Sequence, residues 1–255
     1  MAAAVIAIAA LLALALAVAA QWLAPRVPFA VETRLASRFS SDVGKAGPVE
    51  SYLRALGQRI ARAQQLPADI EIHVHFRQEN TVNALATLGG HIVIYRGLVD
   101  VLPDENTLAM VLAHEIAHVH HRHPITALGR GIAIAAVMST LSSVAGSSVA
   151  GRVLGETGLL TQLSFSRAQE EAADATAVAS LVHMYGHAGG SGELFGIMRK
   201  ASRQPGELPR ILSTHPLSDE RTARVTQLVQ TRAWAPDGPR TALPAELRGD
   251  RRDQR

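Results

Sequence analysis

Apolar positions along the chain fall into distinct patterns, and each predicts a different kind of element. From Met1 to Pro25 there is no charged side chain, and Ala, Leu, Ile and Val dominate. That run is long enough to cross a bilayer as a helix. Within residues 31–66, Leu53, Leu56, Ile60 and Ala63 recur at helical spacing in the later part. Residues 69–76 alternate enough for a strand. Residues 91–95 set His91, Val93 and Tyr95 against Ile92 and Ile94, the period of a half-buried strand. Leu108, Val111, Leu112, Ile116 and Val119 form an apolar stripe and predict an amphipathic helix. Pro103-Asp104-Glu105-Asn106 supplies its start signals and Pro124 its stop. Ser166 with Gln169 three later makes a capping box that opens an Ala-rich helix as far as Met184, with Gly186 as its terminating residue. Gly189 to Pro209 reads as a glycine-rich loop around a short helix near Leu194–Met198. From 233 to 255 the chain turns to Pro, Arg and Asp, the composition of a disordered tail.

Together these predict one α+β domain over residues 30–232, mostly helical with a small β-sheet, between an apolar leader (1–25) and the tail (233–255). The leader is expected to be a retained membrane anchor. The alternative is a signal peptide, since Ala17-Val18-Ala19-Ala20 before Gln21 resembles a small-residue cleavage site. Arg26, Arg34, Arg38 and Lys45 all follow the apolar run, which by the positive-inside rule places the domain in the cytoplasm. The 255 residues hold no cysteine, which excludes thiol chemistry, disulfides and thiolate metal sites. A formal net charge of +3 does not point to a nucleic-acid partner.

Chemistry concentrates at His114-Glu115-Ile116-Ala117-His118. Two histidines four apart on a helix share a face one turn apart, so both imidazoles reach one metal ion. Glu115, rotated about 100° from His114, lies beside that ion, where a carboxylate can act as general base toward water. The further histidines His120, His121 and His123 read as a polar helix end rather than as ligands. A catalytic zinc takes three protein ligands and keeps a fourth position for water. The third ligand is expected on the helix that begins at Ser166. Glu170 and Asp174, four apart, share a face there, so one can bind metal while the other accepts a hydrogen bond from a ligand histidine.

With these segments in order, the chain resembles the gluzincin zinc metallopeptidases, the family of HtpX, the CAAX prenyl protease, BepA and the mitochondrial Oma-type proteases. The resemblance rests on Asn83-Ala84-Leu85-Ala86 with Gly89-Gly90 and Ile92 to Leu98, on His114 to His118, on Ser166-Arg167 through Glu170 and Asp174, and on Ser213-Thr214-His215-Pro216 followed by Arg221. It covers most of residues 47–230. It implies a zincin fold and one zinc ion on His114, His118 and Glu170, with Glu115 as base. Asp174 and Arg221 are implied as supports behind the ligands. His215 is implied near the substrate, helping to stabilise the tetrahedral intermediate. Asn83, Ile92 and Ile94 are read as a strand that takes extended peptide by strand addition, the alternative being an ordinary core strand.

The implied activity is zinc-dependent endoproteolysis in membrane or envelope protein quality control, at a bacterial-type inner membrane. Several relatives act on the periplasmic side, so both sides stay open. A zinc-stabilised, chaperone-like module that holds chains without cutting them is the rival. The uncharged run from Gly131 to Gly151 lies between His118 and Glu170, so a single crossing would separate the ligands. It is expected to pack over the active site or dip into the bilayer surface, with residues 131–155 as a lid.

Overall fold

The computed structural model describes residues 22–37, 47–133, 165–202 and 209–248, with isolated positions before residue 20. After a 3-10 turn at Ala24–Arg26 come α1 (Phe29–Ala36), α2 (Pro48–Ala63), β1 (His73–Arg77), β2 (Ala84–Ala86), β3 (His91–Tyr95), α3 (Arg96–Val101) and α4 (Glu105–His120). Residues 123–133 are again helical. α5 (Arg167–Tyr185), α6 (Ser191–Ser202), α7 (Ile211–Thr214), α8 (Asp219–Thr231) and α9 (Ala245–Arg248) complete the order. The domain is mostly helical with a small sheet, as the pattern predicts.

The sheet has strand order β1-β3-β2. β3 runs parallel to β1, with His73 opposite His91, and antiparallel to β2, with Ala84 opposite Ile94. The turn into β3 needs Gly90: its φ is +77°, and a Cβ there would lie 2.0 Å from the carbonyl oxygen of Glu71. Ile92 and Ile94 are fully buried, in one core with Leu53, Leu56 and Ile60 of α2 and Leu108, Leu112 and Ile116 of α4.

α4 departs from the amphipathic expectation. Every residue from Glu105 to Val119 is buried. The stripe marks only the first of its covered faces. α2 and β2 pack against this helix, and so do α5 and α6. A helix enclosed on all sides tolerates polar residues only where each has a partner or a task. Asp104 caps its start, accepting from Thr107 N at 2.8 Å. α5 forms as its local signals dictate. Ser166 and Gln169 make the full capping box, and Gly186 ends the helix at φ +78°.

The tail corrects the sequence-based expectation of disorder over 233–255. Residues 233–248 lie against the domain, with Leu243 and Leu247 buried. Thr241 bonds both ways to the start of α4: its carbonyl accepts from Glu105 N at 2.8 Å, and its N–H donates to Asn106 Oδ1 at 2.8 Å. Its polar composition hides two apolar anchors and backbone pairing. Residues 249–255 fall outside the described residues.

α1 is bolted to the same body. Arg122, at φ +58°, donates from Nε to Glu32 Oε1 at 2.7 Å and from Nη2 to the Val27 carbonyl at 2.6 Å. Most of the apolar leader, and most of the segment 131–155 expected as a lid, lie outside the described residues. Among the described residues, no helix is long and apolar enough to cross a membrane.

Candidate metal centre

α4 places His114 and His118 one turn apart, and their Nε2 atoms come within 3.0 Å. α5 packs alongside and brings Glu170, whose carboxylate is 3.5 Å from each of these nitrogens. The peptide after α7 adds His215, with Nδ1 3.2 Å from His114 Nε2 and 3.0 Å from Glu170 Oε1. One ligand-type atom from each of the four residues lies within 4.8 Å of all the others, and all four side chains are buried. Three imidazoles and a carboxylate form a donor set suited to a borderline-soft divalent metal.

Support for the ligands is built from charged groups. Asp174 Oδ1 lies 3.0 Å from His114 Nδ1, which turns the Nε2 lone pair toward the cluster. Arg221 grips Asp174 with two bonds of 2.8 Å, from Nε and Nη2, and places Nη1 2.7 Å from Glu170 Oε2. Burial pushes the His114 imidazole down, but the carboxylates of Asp174 and Glu170 outweigh it and raise it to about 10. Burial alone would raise Glu170 and Asp174, yet His114 and their other cationic partners hold both below their ordinary values. His118, with burial and neighbouring cations both against its charged form, is driven well down and stays neutral.

Glu115 is different. It is fully buried, and neither carboxylate oxygen has a hydrogen-bond partner among the described residues. His215 Nε2, 3.5 Å from Glu115 Oε1, is unpartnered too. Buried carboxylates are normally satisfied. Two unsatisfied oxygens beside a ligand cluster mark a place where further groups belong, and they are the observation that a metal and a reactant fit here.

Two spaces open from the cluster. A small apolar one of about 40 Å³ lies past Glu115, among Val111, Leu194, Phe195, Met198 and Ile211. A larger one of about 500 Å³ runs on the other side between β2 and the stretch Arg210–His215.

The structure therefore brings together His114, Glu115, His118, Glu170, Asp174, His215 and Arg221. His215 falls within the ligand group itself rather than only beside the substrate. Asn83 lines the larger cavity. Ile92 and Ile94 do not reach a site, which corrects their reading as a substrate strand. β3 is the central strand, paired on both sides, and both isoleucines point into the core. The cavity is bordered by β2 and by Tyr95 at the end of β3.

Two contacts escaped the sequence reading. His123 is buried, not part of a polar end, with Nδ1 2.8 Å from His118 Nδ1. Burial and the neighbouring histidines lower it to about 3. Phe165 stacks on His118 at 3.9 Å between ring centres. Both are contacts of tertiary packing, set by what meets His118 rather than by spacing along the chain.

Fold and cluster together define a metallopeptidase-type centre: a motif helix, a second helix with the carboxylate, and a supporting acid–arginine pair. Residues 49–229 match the model of Peptidase family M48, and the chain belongs to that family. It is similar to the beta-barrel assembly-enhancing protease of Yersinia pestis, 29% identical over 67% of this chain and 37% of that protein. It is also similar to the mitochondrial metalloendopeptidase OMA1 of Schizosaccharomyces pombe, 27% identical over 74% of this chain and 54% of that protein. The metalloprotease YcaL of Escherichia coli is 28% identical over 44% of this chain and 45% of its own. The chain thus spans between about a third and about half of the length of these relatives.

Proposed function

We propose that this protein is a zinc-dependent endopeptidase of membrane or envelope protein quality control. The observation that carries the reading is Glu115, a buried carboxylate with two unpartnered oxygens beside three imidazoles and Glu170. His114, His118 and Glu170 would hold the zinc, which when bound would supply Lewis acidity toward a water and a scissile carbonyl. Glu115 takes the proton of the attacking water and delivers it to the leaving amine nitrogen. Asp174 fixes the His114 ring, and Arg221 keeps Asp174 and Glu170 ionised. His215 Nε2 faces Glu115 and can donate to the oxygen that gains charge.

Substrates are protein chains, in keeping with the family. A role in envelope quality control is supported by relatives named for β-barrel assembly. Residues 1–25 are read as a single-pass anchor in a bacterial-type inner membrane, with the catalytic domain on either side.

A zinc-stabilised holding module is the alternative, and one observation favours it. His215 stands where a fourth protein ligand would close a structural site. Against it stands Glu115, for which a closed site has no use. Metal content and casein cleavage, measured in parallel for wild type and Glu115→Gln, separate the two. One zinc in each with cleavage by wild type alone supports the peptidase. Zinc in both with cleavage by neither supports the holding module.

A further inference from the structure

We propose that the larger cavity selects peptides carrying an acidic side chain, and that Arg210 is the residue that reads it. This rests on the peptidase reading above and adds a substrate class to it. The cavity, about 500 Å³, is of the size that takes several groups of a ligand. One wall is β2, with Leu85 and Ala86. The opposite wall is Arg210, Ser213 and Thr214, and His215 of the metal cluster closes one end.

Three features point to a ligand here. Among the described residues β2 pairs only with β3, so its other edge offers backbone groups to an extended chain. Asn83, which lines the cavity and is only 9% exposed, has an Oδ1 with no hydrogen-bond partner. A buried amide oxygen of this kind is an acceptor for an incoming N–H. The charge is one-sided as well. Among the described residues no Asp or Glu lines the cavity, while Arg210 and His215 do. The Arg210 guanidinium makes no ion pair among the described residues, unlike Arg221, Arg224 and Arg240, each of which holds a carboxylate. A planar fork of donors at the wall of a groove whose described lining holds no carboxylate matches a carboxylate in the bound chain.

Register gives the position. Arg210 precedes His215 by five residues through the short helix α7, a rise of roughly 7 Å. That is about two residues of extended peptide, so the acidic residue belongs about two positions from the scissile bond on the β2 side. The space beyond Glu115 is lined mainly by apolar side chains and, among the described residues, its one arginine is Arg221, which Asp174 and Glu170 already hold.

The test uses full-length protein in detergent and matched fluorogenic peptides. Each carries Glu or Lys two residues from the bond cleaved, on one side or the other. The readout is the Glu-to-Lys ratio of kcat/KM within each variant, which does not depend on its overall activity. Wild type is expected to prefer Glu by about tenfold, the worth of one charge-assisted hydrogen bond at a partly exposed site. The preference should lie in KM and shrink with salt. Arg210→Ala should bring the ratio to about one, Arg210→Glu should invert it, and Arg210→Lys should keep part of it. Equal cleavage of both peptides by wild type, or a preference for Glu that survives in Arg210→Glu, overturns the proposal. Should no peptide be cleaved, the peptidase reading fails on its own. Anisotropy of the labelled peptides on Glu115→Gln then decides: tighter binding of the Glu peptide keeps the assignment of Arg210, and equal binding ends it.

Discussion

Two glutamates on one helix, ten residues apart, show opposite uses of a buried charge. Glu105 opens α4 and Glu115 sits in its middle, and both are buried. Glu105 is saturated. Tyr52 and Tyr185 donate their hydroxyls to it, the latter at 2.7 Å, and Arg59 donates at 3.1 Å. Burial pushes its carboxyl up, but these donors outweigh burial and leave it below its ordinary value. The partners themselves respond: burial and the adjacent Glu105 anion raise both tyrosines. Glu115 has no donor on either oxygen among the described residues. A carboxylate whose partners all come from the fold stabilises that fold. One left without partners destabilises it and is available for chemistry.

The contrast can be broken at either end. Glu115→Gln should lower peptide cleavage by about 10²- to 10⁴-fold, the range of a general base. The urea midpoint should hold steady or rise, because an unpartnered buried charge is removed. Cleavage assays beside denaturation curves check this, and a large loss of stability would assign Glu115 to the fold instead. Glu105→Ala should do the reverse. It strands Arg59 and two tyrosine hydroxyls and should cost about 2–4 kcal/mol of stability. The folded fraction should keep its metal stoichiometry, read by metal analysis after gel filtration.

Asp174→Asn sharpens the comparison between the ends. It weakens the grip on His114 Nδ1 and leaves Glu170 as the carboxylate that Arg221 still holds, and metal affinity should fall about 10- to 100-fold. Competition with a chromophoric chelator measures it, and an unchanged affinity would show that the histidine orients itself. The smallest effect is a pH dependence. The folded carboxyl of Glu105 lies below its ordinary value of 4.5. Its stabilisation is therefore complete above that pH and is lost as pH falls through the depressed folded value. In chelator-treated samples, the stability gap between wild type and Glu105→Gln should be widest at neutral pH and should narrow in acid. A gap that is constant with pH would mean that Glu105 acts by shape rather than charge.

Much of the site was legible in the residue order alone. Helix rise and turn are local, so His114 and His118 on one face, Glu115 beside them, and Glu170 with Asp174 on one side of a second helix follow from spacing. Caps are local as well, and Ser166, Gln169 and Gly186 act as their types dictate. The tertiary structure alone decided the rest. Strand order is a long-range outcome, and it put β3 in the centre with Ile92 and Ile94 in the core and left β2 beside the cavity. Burial of a helix on every side depends on what packs around it, so α4 showed one apolar stripe in sequence and has none of its middle exposed. Tertiary packing set His123 and Phe165 against His118, carried His215 into the ligand group, and laid Thr241 along the start of α4. Periodicity records which residues share a face; only the packed chain determines what that face meets.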